Sequence, residues 1–97
     1  MPIKISTKIL TKLATKEPPV SEKEIIECFN NRIGGLLQDT REQHETDPPT
    51  QWFVAETNHR RKLKVIFVQD GETIFIKSAY DASPEIVNIY KKYACGT

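Results

Sequence analysis

His59-Arg60-Arg61-Lys62, followed by Lys64, is the densest run of chemistry-bearing side chains in the sequence. Histidine is the side chain whose unperturbed pKa lies nearest neutrality, so His59 is the best single candidate for a general acid–base. Arg60, Arg61 and Lys62 are candidate contacts for an anion such as phosphate. A second histidine, His44, sits in Arg41-Glu42-Gln43-His44-Glu45, where a neighbouring carboxylate could hold it as a base. Both features also have plain readings: a basic hairpin turn is commonly just solvated, and a loop histidine needs no role. The two histidines cannot be read as a pair, because sequence alone does not give their separation.

Strands must position the basic run. Residues 51–56 and 63–69 read as strands with Asn58 to Lys62 as the turn between them, and a third strand runs from Glu72 to Ala79. Asp70-Gly71 is the preferred pair for a two-residue type I′ hairpin. With that loop Gln69 faces Glu72, Phe67 faces Ile74, Val65 faces Ile76 and Leu63 faces Ser78, one mostly apolar face. On the other face Val68 meets Thr73, Ile66 meets Phe75 and Lys64 meets Lys77. Directly opposed lysines repel. An acid or anion between them would relieve this, and so would two long side chains splaying into solvent. Trp52 and Phe53 are strand neighbours and point to opposite faces, so a helix or a partner must cover one of them.

Helices flank the strands. Ser6 can cap a helix over residues 6–16, with Ile5, Ile9, Leu10 and Leu13 on one side and lysines at 4, 8, 12 and 16 on the other. That lysine stripe could track a phosphate backbone or be a solvated face. Pro18-Pro19 stops the helix. Ser21 and Glu24 form the S-x-x-E capping box of a second helix over 22–30, with Val20 and Ile25 as its hydrophobic staple. Ile33, Leu36 and Leu37 suggest a short strand over 33–38 that Gly34-Gly35 weaken. Residues 39–50 are polar and read as a loop. Ser83-Pro84 starts a last helix, on which Ile86, Ile89, Tyr90 and Tyr93 fall at helical spacing, with both tyrosines facing the core. The pattern predicts one α+β domain over 1–97: two N-terminal helices, a short antiparallel sheet of three to four strands with a tight hairpin, and a C-terminal helix packed on the sheet.

Composition narrows the classes of function. Ninety-seven residues make one domain, and a 38% hydrophobic fraction can fill one core. The formal net charge is +1, distributed as a basic beginning, an acidic middle and a basic end. No run of about 18 apolar residues occurs, so no membrane helix is expected. The N-terminus lacks the apolar stretch of a secretory signal. Cys28 and Cys95 have neither metal-ligand spacing nor the look of a disulfide framework, which suits a reducing cytoplasmic setting. Nothing resembles a nucleotide-cradling loop, because no G-K-[ST] follows Gly34-Gly35. No metal site and no small-molecule cofactor are expected.

Trp52, Lys64-Val65-Ile66-Phe67-Val68, the hairpin, Ile76-Lys77-Ser78-Ala79 and a final helix with Tyr90 together resemble the BrnT-type toxins. These are small ribonucleases of type II toxin–antitoxin systems with a RelE-like fold. The basic first helix and the Val20-Ser21 start of a helix carrying Glu24 are similar too, so the likeness covers residues 9–31 and 51–93. It implies an RNA-binding, RNA-cleaving protein neutralised by a protein antitoxin. Metal-free cleavage needs a base, an acid and cations on the phosphorane. On this reading His59, Lys64, Lys77 and Tyr80 are the catalytic candidates, and Arg60, Arg61 and Lys62 bind RNA. Tyr80 could donate a proton or stack on a base. It stands where the family commonly has Arg, and Ile86 stands where a Glu is common after the cap. The alternative is a non-catalytic protein-interaction module that keeps the toxin fold. The acids between Glu42 and Asp47, or an exposed strand edge, could dock a partner.

Overall fold

Every helix start read from the sequence is present. A computed structural model describes residues 2–38 and 49–94 of the chain. Ser6 caps α1 (Thr7–Ala14), its hydroxyl accepting from the Ile9 amide. Ser21 caps α2 (Glu22–Asn31) with both arms of the capping box formed. The staple residues Val20 and Ile25 are both buried. Ser83 accepts from the Ile86 amide at the start of α3 (Pro84–Ala94).

The strands are β1 (Ile3–Lys4), β2 (Leu37–Gln38), β3 (Thr50–Glu56), β4 (Lys62–Asp70) and β5 (Thr73–Asp81), in the sheet order β1-β5-β4-β3-β2. The fold is α+β, as expected, but the sheet is larger and mixed. The unexpected strand is β1, which adds in parallel to β5, while β2 covers only the Trp52 end of β3. Lys4 therefore lies in β1, and because α1 ends at Ala14, before the expected residue 16, only Lys8 and Lys12 of the four lysines are on the helix. The expected strand over 33–38 shrinks to its last two residues. Ahead of it the Gly35 amide donates to the Ala94 carbonyl, drawing the chain towards α3.

The two faces of the sheet are covered differently. Alternation sends Phe53, Ala55, Leu63, Val65 and Phe67 to one face. There α2 brings Phe29 edge-on to Phe53 and Phe67, with centroids 4.7 and 5.5 Å apart, and Leu13, Ile25 and Cys28 are fully buried. The Cys28 thiol points at the Ala55 carbonyl, and its pKa is pushed up to about 12, chiefly by burial. The other face carries Trp52, Val54 and Lys64. Here α3 packs Val87 and Tyr90, with the Tyr90 ring 6.0 Å from Trp52. The expected split of Trp52 and Phe53 between two covers is thus realised. Tyr93, expected in the core, is 63% exposed, because the inward face of α3 is set by Val87 and Tyr90.

The hairpin register differs from the expected one. Asp70 pairs with Thr73, so the turn residues are Gly71 and Glu72 and not Asp70-Gly71. Gly71 has φ 63° and is the first central residue, the arrangement of a type II′ turn and not of type I′. Moving the turn by one residue shifts every partner by two, which preserves the faces. A β-bulge between Ile66 and Phe67 then adds one more, with Lys77 as the extra residue. Lys64 consequently opposes Tyr80, and the expected Lys64–Lys77 pair does not exist.

Candidate cation–aromatic site

Lys64 lies in the middle of the sheet, and only 8% of it is exposed. Its ammonium sits 4.4 Å from the Trp52 ring centroid and 5.8 Å from that of Tyr80. The ammonium of Lys16, just beyond α1, lies 5.4 Å from the same Tyr80 ring. Ring faces attract cations through their quadrupole, at about 0.5–2 kcal/mol each. Lys64 makes no hydrogen bond and no ion pair with any described residue. Lys64 thus stands beside two aromatic rings with no carboxylate bonded to it among the described residues, while Glu17 and Asp81 line the cleft that Lys16 shares with Tyr80.

Arg61, three residues earlier, has the opposite surroundings. Its guanidinium is bidentate to Asp81, at 2.7 Å through Nε and 3.2 Å through Nη2. Nη1 reaches Glu24 Oε2 at 2.9 Å and the Pro19 carbonyl at 2.7 Å, and Nη2 reaches the Pro18 carbonyl at 3.2 Å. Hydrogen bonding to Asp81 is the main cause that raises the pKa of Arg61 further. Burial alone would raise that of Glu24. The Ser21 amide and the Arg61 guanidinium outweigh it and hold the carboxyl below its usual range. Arg61 thus joins the diproline connector, the cap of α2 and the end of β5.

The remaining sequence candidates are scattered around these two centres. The β3–β4 turn is fastened to α2: Glu27 accepts from the Asn58 amide, and Asn31 Nδ2 donates to Asn58 Oδ1 and the Glu56 carbonyl. His59 is exposed on this turn, and its imidazole makes no hydrogen bond or ring contact among the described residues. Arg60 is exposed with φ 66°, the left-handed position that closes a three-residue hairpin loop. Lys62 is exposed at the start of β4, and Lys77 is exposed at the bulge. The structure brings together Lys64 and Tyr80 but not Lys77 or His59. His44 lies outside the described residues.

Trp52 and Lys16 belong to the site and were not singled out for it. Trp52 follows from alternation once the β3–β4 register is known. Nothing local in the sequence places Lys16, because its position depends on how the diproline connector turns. Among the described residues no three His, Cys, Asp or Glu side chains gather as metal ligands, and no helix is long and apolar enough to cross a membrane. Comparisons with protein-family models, curated proteins and solved structures gave no match to this chain.

Proposed function

We propose that this chain is the toxin-like member of a toxin–antitoxin pair, with a RelE-like arrangement, acting on RNA in the cytoplasm. The observation that carries the reading is Lys64: a nearly buried ammonium held between Trp52 and Tyr80, with Lys16 beside Tyr80 and no acid paired to Lys64. Burying a cation without a counter-charge is unfavourable, and an arriving phosphate would compensate it. Aromatic faces beside a cation are the recurring device for single-stranded nucleic acid, where bases stack and phosphates pair. The order of elements, with two helices before the long strands and one after, supports the same family reading.

For cleavage, Tyr80 is the candidate proton donor and Lys64 the candidate cation on the phosphorane. A second reading, a non-catalytic interaction module with this fold, is favoured by two observations: Arg61 is engaged within the chain, and His59 stands apart from Lys64. The test is incubation of the pure chain with labelled single-stranded RNA across a salt series, with chelator present. Binding that weakens with salt and is lost in Lys64→Ala supports the RNA reading. Metal-free cleavage that is slowed in Tyr80→Phe supports the catalytic role. If neither the parent chain nor Tyr80→Arg binds or cleaves at physiological salt, the interaction-module reading replaces it.

A further inference from the structure

Lys16, Glu17, Pro18, Tyr80 and Asp81 line a cleft of about 300 Å³, at the small end of the range for ligand sites. It adjoins the Lys64 site, because Tyr80 is common to both. Its two acids differ. Both oxygens of Asp81 are engaged, Oδ1 by Arg61 Nε and Oδ2 by Nη2. The Glu17 carboxylate makes no hydrogen bond and no ion pair with any described residue, and Lys16, its neighbour in the chain, pairs with neither acid.

Arg61 fixes both sides of this cleft. Besides Asp81 it donates to the Pro18 and Pro19 carbonyls. The connector that follows Glu17 and the end of β5 that carries Tyr80 are therefore bonded to one guanidinium. A site held in this way is formed before its ligand arrives, which lowers the ordering cost of binding.

An unpaired carboxylate next to a phosphate-binding ammonium repels an RNA backbone unless it has a partner of its own. A base can be that partner. A carboxylate only accepts hydrogen bonds, at two oxygens, and an ammonium only donates them. The Watson–Crick edge of guanine presents one acceptor and then two donors: O6, N1–H and the N2 amino group. Lys16 and Glu17 together are the complement of that order. Uracil has one donor between two acceptors, so its O2 would face a carboxylate oxygen. Adenine and cytosine each have one donor with an acceptor beside it, and neither can satisfy both oxygens.

We infer that this cleft reads a guanine base of single-stranded RNA. Glu17 accepts from N1–H and the N2 amino group, Lys16 donates to O6, and Tyr80 and Pro18 supply the apolar walls. The inference rests on the RNA reading and adds to it a base preference, with Glu17 as the specificity-determining residue.

The probes are labelled 2′-O-methyl oligouridines, which cannot be cleaved, carrying guanine, hypoxanthine, adenine, cytosine or uracil at one central position. Anisotropy with the full chain should show guanine preferred by about tenfold over adenine, cytosine and uracil, the discrimination expected of one bidentate pair. Hypoxanthine, which lacks the N2 amino group, should fall in between. Glu17 is exposed and unbonded, so Glu17→Gln keeps the fold. By electrostatics alone, removing its charge would tighten the binding of every probe. The inference requires the opposite for one of them: Glu17→Gln weakens the guanine probe about tenfold and does not weaken the uracil probe. Equal affinity for all bases, or a guanine preference that survives Glu17→Gln, overturns the inference, while binding that is salt-sensitive and lost in Lys64→Ala keeps the RNA reading in place. Free guanosine monophosphate that binds as tightly as the guanine probe reassigns the cleft to a mononucleotide. If no probe binds at physiological salt, the RNA reading falls and the inference falls with it.

Discussion

Arg61 and Lys64 lie three residues apart at one end of β4, and their surroundings have nothing in common. Arg61 meets two carboxylates and two carbonyls; Lys64 meets two aromatic rings. A guanidinium has five donors in a planar fork, and here that fork holds four segments in register. An ammonium over ring faces keeps its charge available to whatever approaches the sheet. Two adjacent cations that read as one basic patch are thus a structural joint and a candidate binding site.

The largest expected effect is at the joint. Arg61→Ala should destabilise the domain by about 2–3 kcal/mol, because Glu24 and Asp81 are left half-buried without their partner. A lowered urea midpoint at unchanged slope would show it. The pH dependence carries a sign that checks the same contact. Glu24 titrates lower in the folded chain than in the unfolded one, where about 4.3 is usual. Its contribution is complete above that unfolded value and is lost as pH falls through the folded one. Without Arg61 the decline in stability at acid pH should be shallower. An Arg61→Ala variant of unaltered stability that loses RNA affinity would reverse the assignment of the two residues.

Lys64→Met is the complementary change. It should reduce RNA affinity at least tenfold, about 1.4 kcal/mol, and lower the salt slope by about one. Stability should move by less than about 1 kcal/mol, since the apolar stem still packs on Trp52. Ser21→Ala removes the cap next to Glu24 and should cost about 1 kcal/mol in thermal or urea unfolding. Combined with Arg61→Ala its effect should fall short of additivity, because both act on Glu24. The smallest change sharpens the comparison at the turn. Arg60→Gly relieves a left-handed backbone position and should stabilise the domain by about 0.5–1 kcal/mol. Any RNA contact made by Arg60 would appear as weaker binding despite that gain.

Local signals were the legible ones. Ser6, Ser21 and Ser83 cap the helices the sequence suggests, because a cap depends on residues three positions away. The apolar face of the hairpin held up to the bulge, since a shift of two residues leaves Ile74 and Ile76 on the side of Phe67. Beyond Lys77 the faces of β5 exchange, and Ser78 lies opposite Ile66 instead of Leu63. The Lys64–Lys77 pairing failed for two reasons. Asp70-Gly71-Glu72 permits either of two adjacent turns, and a bulge has no dependable sequence mark when the extra residue is a lysine. Arg61 looked like a free base because its partners, at Pro18, Pro19, Glu24 and Asp81, are distant in sequence. Tyr80 was noted for its own chemistry, and only the register set it opposite Lys64.

The reach of Arg61 also bears on how the domain forms. It links positions about forty residues before it to one twenty residues after, so its contacts need the helices and the strands already docked. Loop-closure entropy places such contacts late. Arg61→Ala should therefore act mainly by accelerating unfolding, leaving the refolding rate nearly unchanged. In a chevron plot the unfolding arm would rise and the refolding arm would stay in place. The guanidinium would then act as a latch on the finished domain: it sets how long the native state lasts, and has little influence on how quickly it is reached.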